Sequence, residues 1–194
     1  MSLTPVDPRQ IATIVTHLEM RAKPRPAPIP PSPYRLVRWK TPALDAYRTL
    51  FRRVGEEWMW FSRLVMPDAE VEAIIHDPGI EIYAVCDARG IEVGMLELDF
   101  RSAPDCEIGF FGLVTQATGK GHGRWLMAQA LSLGWRSGIE RMWVHTCTLD
   151  HPSALGFYRR CGFVPFAREV ETFDDPRLTG RLPREAAPQI PLLG

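Results

Sequence analysis

Hydrophobic positions along the chain switch between two periods. Over residues 42–54, Leu44, Tyr47, Leu50, Phe51 and Val54 recur on one helical face. A second helix is predicted over 67–76 and is stopped by Asp77-Pro78-Gly79. A short strand is expected over 34–39. Strands over 81–87, 92–100 and 106–114 then follow as a meander, turning at Ala88-Arg89-Gly90 and at 102–105. Beyond residue 114 strands alternate with helices. Leu126, Met127, Ala130, Leu131 and Gly134 mark a helix, 142–148 a strand, 152–161 a helix and 163–172 a last strand. Hairpins first and crossovers later predict an α/β fold, a mixed sheet with helices on both faces.

The two ends are harder to read. Asp7 as cap, Pro8 and Gln10 resemble a helix start, and Ile11, Ile14, Val15 and Leu18 follow at helical spacing. The β-branched content of the same stretch favours a strand; the capping pattern tips the expectation to a helix. Six prolines between Lys23 and Tyr34 predict an extended spacer, so residues 1–33 are expected to form an amino-terminal arm laid across a domain of 34–173. Pro176, Gly180, Pro183, Pro188 and Pro191 predict a mobile tail over 174–194.

A chain of 194 residues, 45% hydrophobic, can bury a core as one domain. Lys plus Arg and Asp plus Glu number 23 each, so nothing electrostatic points to nucleic acid or an anionic membrane. Cys86, Cys106, Cys147 and Cys161 form no C-x-x-C, which argues against a zinc site or disulfide frame and fits a reducing compartment. With no signal-like start and no apolar run of about 18 residues, a cytoplasmic location is expected.

The chemistry concentrates in 113–127. An apolar strand runs into Gly119, Gly121 and Gly123 and then into a helix. Glycines at such a turn leave backbone N–H groups uncovered, and the positive end of the helix dipole adds to them, making a seat for phosphate or diphosphate. Lys120 and Arg124 flank it. A nucleotide-hydrolase loop would place Lys and then Ser or Thr after the last Gly, where this chain has Arg124 and Trp125. A dinucleotide fingerprint would need G-x-G-x-x-G, with an acid about 20 residues on, where Glu140 lies. A plain tight turn is the structural alternative.

Two motifs in order make a family resemblance. Thr118-Gly119-Lys120-Gly121-His122-Gly123 resembles the acyl-CoA loop of the GNAT acetyltransferase superfamily, Arg/Gln-x-x-Gly-x-Gly/Ala. The stretch 150–163 resembles the family's Asn-x-x-Ala-x-x-x-Tyr-x-x-x-Gly-Phe, with Ala154, Tyr158, Gly162 and Phe163 in place. Thr118 replaces the usual Arg or Gln, and His151 the usual Asn. The resemblance covers about 34–170 and implies the GNAT acyl-CoA N-acyltransferase fold, with a mostly antiparallel sheet. It also implies acetyl-CoA as cosubstrate, bound by Leu113, Val114, Thr118, Gly119, Lys120, Gly121, His122, Gly123, Arg124, His151, Ala154 and Tyr158. The partners are then acetyl-CoA and an amine acceptor, with no metal, nucleic acid or membrane; a homodimer through the arm is left open.

An alkylamine of pKa about 10.4 is mostly charged at neutral pH, so a base matters. Glu107 is the leading candidate: an acid on an apolar strand, expected to share a face with Gly109 and Phe111, with burial raising its pKa. It lies eleven residues before Thr118, the spacing of the glutamate base in the histone-acetylating branch of the superfamily. The alternative is a solvated or Arg-paired acid. Tyr158 is the acid that the resemblance implies for the CoA thiolate; it also belongs to an apolar stripe with Ala154, Phe157 and Cys161. The oxyanion donor is expected among the backbone N–H groups near Leu113 and Val114. Glu56 or Glu57 with Trp58 and Trp60 are expected to border the acceptor, unless the tryptophans are core and the acids solvated. His145 is placed towards the acceptor, and His151 is either a second base or the lead-in to a helix opened by Pro152. The reading from another functional class is a CoA-binding or scaffold module without catalysis.

Overall fold

The computed structural model describes residues 3–193. Strands β1 (Gln10–Met20), β2 (Arg35–Trp39), β3 (Ile80–Cys86), β4 (Glu92–Asp99), β5 (Asp105–Leu113), β6 (Arg141–Cys147) and β7 (Val164–Asp174) form one sheet. Its order is β2-β3-β4-β5-β6-β1-β7, antiparallel throughout except between β5 and β6. The helices are α1 (Leu44–Gly55), α2 (Ser62–Val65), α3 (Asp68–Ile75), α4 (His122–Gly134) and α5 (Ala154–Arg160).

Each face of the sheet carries its own core. On one, Leu126, Met127 and Ala130 of α4 and Tyr158 of α5 pack on Leu18, Leu98, Ile108 and Val144. On the other, Tyr47, Leu50, Phe51 and Val54 of α1 and Val71 and Ile75 of α3 pack on Ile82, Ala84 and Met95. The helical periods read from the sequence therefore bury the faces they mark.

Residues 10–20 are a strand, not the expected helix. Asp7 does cap, but it caps a turn: its carboxylate accepts from Arg9 N at 2.8 Å and its carbonyl from Gln10 N at 2.8 Å. β1 then lies between two partners, pairing Val15–Met20 with β6 and Gln10–Glu19 with β7. Ladder bonds on both edges override the local helix signal, and the β-branched residues suit them. The arm is thus an inner strand of the same sheet, and the expected boundary at residue 33 does not divide the fold. The proline spacer runs back along α4. Lys23 Nζ donates to Trp135 O at 3.0 Å at that helix's end, and Ser32 Oγ meets His122 Nδ1 at 3.3 Å at its start.

The tail is also ordered against the sheet. Leu182, Ala186 and Ala187 are buried in the core beside α1. Arg177, 3% exposed, is paired with Asp175 at 2.7 Å and donates to Ala186 O at 3.1 Å and Ile190 O at 2.9 Å. A buried guanidinium with that many acceptors holds an irregular segment in place. Proline and glycine content reported the lack of regular structure, not a lack of order.

Two irregularities of β5 position everything that follows. β5 and β6 pair only over Asp105–Arg141, Cys106–Met142 and Glu107–Trp143, then part. On its other edge β5 pairs Ile108 with Leu98 and Phe110 with Glu97, leaving Gly109 as the extra residue of a bulge.

Candidate active site

Where β5 and β6 part, a cleft of about 750 Å³ passes between them. It is bordered by the glycine loop and α5 on one face of the sheet and by α1, α2 and their connection on the other.

The side bordered by the glycine loop is built locally. Gly119 and Gly121 have φ of +76° and +83°, the left-handed region that glycine enters at little cost. The chain thereby turns so that the N–H groups of residues 119–123 have no protein acceptor among the described residues. They stand at the start of α4, where the dipole is positive. Arg124 departs from this set, since its N–H donates to Gly121 O at 3.0 Å; its side chain still borders the cleft. Thr118 N is likewise committed, to Thr115 O at 3.1 Å. Thr118, Gly119, Gly121 and Gly123 line the cleft, whereas Lys120 and His122 do not. Lys120 is exposed, and the His122 ring is turned to Ser32 and to Tyr34, 4.8 Å away edge-on. His151 and Ala154 line the same cleft. His151 Nδ1 accepts from Ser153 N at 3.1 Å, so it closes the turn ahead of α5.

Next along β5, Val114 N donates to Val93 O at 2.8 Å, which removes it from the expected oxyanion donors. An antiparallel ladder alternates its direction, so the Leu113 amide points the other way, into the gap left by β6. Leu113 is the donor that remains.

The bulge corrects the expected face of Glu107. Ile108 packs with α4 and α5, yet Phe110, two residues on, packs with α1, because the extra Gly109 reverses the alternation. Glu107 therefore shares the α1 face with Phe110, and Phe111 turns to Phe157, 5.7 Å away, and Tyr158, 6.1 Å away. Glu107 and Tyr158 approach the cleft from opposite faces of the sheet. Glu107 is also not isolated: its Oε1 lies 3.3 Å from His145 Nδ1, with the two side chains 23% and 46% exposed. That hydrogen bond holds the His145 imidazolium above its usual pKa, outweighing desolvation, with Asp150 and Glu171 adding to it. Tyr158 is buried, and burial pushes its phenol well above the usual value, with the Asp150 charge contributing. Its hydroxyl has no protein partner among the described residues, although its ring borders the cleft.

In the connection between α1 and α2, Trp58 borders the cleft, 5.0 Å from the His151 ring. Trp60 is a core residue as well as a wall. A Cβ on Gly112 would come within 3.0 Å of its ring, and its Nε1 donates to Asp150 Oδ1 at 3.4 Å. Glu57 departs from expectation: it is exposed, accepts a hydrogen bond from the Thr115 hydroxyl, and lies outside the cleft. Sequence reading missed the buried Glu97, which accepts from Tyr47 Oη at 2.7 Å and from Arg63 at 3.0 Å beneath the cleft floor. It also missed Glu171 and Phe173 of β7, which border the cleft. A strand reading of residues 10–20 would have called for an outer partner strand.

The acetyltransferase (GNAT) family model matches residues 45–163. The chain belongs to that family. Acyl-CoA is the cosubstrate of its members. No curated protein matches the chain. Among solved structures, a GCN5-related N-acetyltransferase from Sphaerobacter thermophilus is 19% identical over 84% of this chain and 51% of its own, with a TM-score of 0.60. An aminoglycoside acetyltransferase from an uncultured soil metagenomic sample is 16% identical over 66% of this chain and 87% of its own, at 0.54. A spermidine N-acetyltransferase chimera from Vibrio cholerae and hSSAT is 19% identical over 76% of this chain and 99% of its own, at 0.56. At such identities the likeness is one of fold. The chain spans about half the length of the first two structures it matches, 51% and 53%. No helix among the described residues is long and apolar enough to cross a membrane.

Proposed function

We propose that the protein is an N-acetyltransferase that moves the acetyl group of acetyl-CoA to a primary amine by direct attack within a ternary complex. The observation that carries this reading is the run of uncommitted N–H groups over residues 119–123, opening onto the cleft that Glu107 and Tyr158 reach from opposite faces. Those donors take the diphosphate, and the pantetheine arm follows the gap beside Leu113, whose amide faces the thioester oxygen as negative charge builds.

The acceptor enters from the α1 face. Its neighbours there, Glu97 and Asp99, are neutralised by Arg63 at 3.0 Å and Arg101 at 2.6 Å. Glu107 has only an imidazole partner, and Glu171 has no ion pair among the described residues. The uncompensated charge is negative, which suits a cationic amine. Glu107, with His145 in its neutral form beside it, takes a proton from the ammonium, and the free amine attacks the carbonyl carbon. Collapse of the tetrahedral intermediate breaks the C–S bond, and Tyr158, held as a neutral phenol by burial, gives its proton to the departing thiolate. His151, an exposed turn residue bonded to Ser153, has the weaker geometry for the base. The cytoplasm suits the four free thiols.

Acetyl-CoA offered with a panel of amines, read by released thiol, is the test. Tight CoA binding with no release above hydrolysis for any amine would favour a binding module without catalysis. Tyr158→Phe should lower turnover about 10²-fold, the low end for a general acid, with acetyl-CoA affinity unchanged. Equal rates for Tyr158→Phe, Glu107→Gln and the native protein would remove both role assignments.

A further inference from the structure

On the α1 face of the sheet, four side chains from four adjacent strands stand in file. Glu107 of β5 meets His145 Nδ1 of β6 at 3.3 Å. His145 is directly opposite His17 of β1, with ring centroids 6.0 Å apart. His17 Nε2 then meets Glu169 Oε2 of β7 at 3.1 Å. Exposure rises outwards at the far end, from 20% for His17 to 70% for Glu169 on the edge strand. Trp143, 6.1 Å from His17 and 6.2 Å from His145, and Phe166, 5.9 Å from His17, flank the file with apolar surface.

Each imidazole spends one nitrogen on a carboxylate, and the other has no protein partner among the described residues. Both nitrogens of an imidazole can carry a proton, so a proton accepted on one side can be released from the other. With ring centroids 6.0 Å apart, transfer between the two rings runs through water rather than a direct hydrogen bond.

We propose that Glu107, His145, His17 and Glu169 form the outlet through which the proton taken from the acceptor leaves the cleft. This rests on the acetyl-transfer reading. An ammonium has three N–H protons and the amide product has one. Of the two lost, one ends on the CoA sulfur through Tyr158, and the other must reach solvent. Glu107 receives that second proton at the floor of the cleft, where a bound acceptor covers it. It passes to His145 Nδ1 while the proton on Nε2 moves to His17. His17 in turn releases one to Glu169 and bulk water, and reversal of the imidazole tautomers resets the file. No electron moves and no co-reactant is needed. The other charges facing the file are Asp150 and Glu171 around His145, and Arg141, whose guanidinium lies 4.8 Å over Phe166. β1 and β7, which supply its outer half, lie outside residues 45–163, the span that the family model matches.

The test is turnover at low buffer concentration with added imidazole. His17→Gln should lower kcat about tenfold with both KM values unchanged, as loss of a proton-transfer partner does. Millimolar imidazole should restore it, because a diffusible base can replace a relay but not a packing contact. Glu169→Gln, at an exposed edge position that the fold does not need, should show a smaller loss with the same rescue. Native-like rates for both variants, or losses that imidazole leaves in place, overturn the outlet while leaving acetyl transfer intact. A native protein that releases no thiol with any amine overturns the acetyl-transfer reading and the outlet with it.

Discussion

The two sides of the cleft are built on opposite principles. The side proposed for the coenzyme comes from one continuous segment, residues 113–124, in which a strand end, two left-handed glycines and a helix start do the positioning. Its functional groups are main-chain N–H donors, so side-chain identity matters little at many positions. The side proposed for the acceptor draws on β1, β5, β6, β7 and the α1–α2 connection. Its groups are side chains whose partners sit far away in sequence, such as Glu107 with His145 and His17 with Glu169. A local device can be altered without touching the distant one, and that separation can be tested.

Glu107→Gln should give the largest effect. An amide cannot take the ammonium proton, and general bases contribute about 10²–10⁴-fold, so kcat should fall about 10²–10³-fold. Because Glu107 lies on the face away from the glycine loop, the dissociation constant for CoA, measured by calorimetry, should stay within about twofold. A parallel loss of CoA binding would mean that the two sides are not separable.

Gly121→Val should do the reverse. At φ of +83° a β-branched residue is strained, at roughly 1–2 kcal/mol for a left-handed conformation. Strain that turns the loop out of its donor geometry should raise the CoA dissociation constant about tenfold while kcat at saturation changes little. A fall in kcat without a change in affinity would contradict the assignment of the loop to binding alone.

This asymmetry also explains what could be read from the sequence. The placement of Gly119, Gly121, Ala154 and Tyr158 around one cleft was legible because it follows from spacing within one or two turns of chain. The helix faces of α1 and α4 were legible for the same reason. The strand β1 was not, because Asp7, Pro8 and Gln10 carry a local helix signal that only pairing on both edges overrules. The face of Glu107 was misjudged because period-two counting has no means of seeing the bulge at Gly109, which arises from a register shift against β4. The order of the final segment was invisible because it depends on one buried residue, Arg177, and on carbonyls nine to thirteen positions further on.

The smallest expected effect is the most specific to the acceptor side, and it concerns pH. The Glu107 carboxylate, accepting from His145 Nδ1, raises the His145 pKa above its usual 6.5. While His145 is protonated it holds the carboxylate in an ion pair, so the base works best once that proton is gone. The acid limb of kcat/KM should therefore have its midpoint above 6.5. Stability moves the opposite way. A histidine whose folded pKa exceeds its unfolded value stabilises the fold fully below the unfolded value, and that contribution is lost as pH rises through the folded one. The difference in unfolding free energy between native protein and Glu107→Gln should thus be present at about pH 6 and vanish above about pH 8. With both side chains partly exposed, solvent screening should keep it under about 1 kcal/mol. Urea unfolding at the two pH values reads it directly. A stability difference that grew with pH would mean that the pair is not an ion pair in the folded protein, and the acid limb would then need a different group.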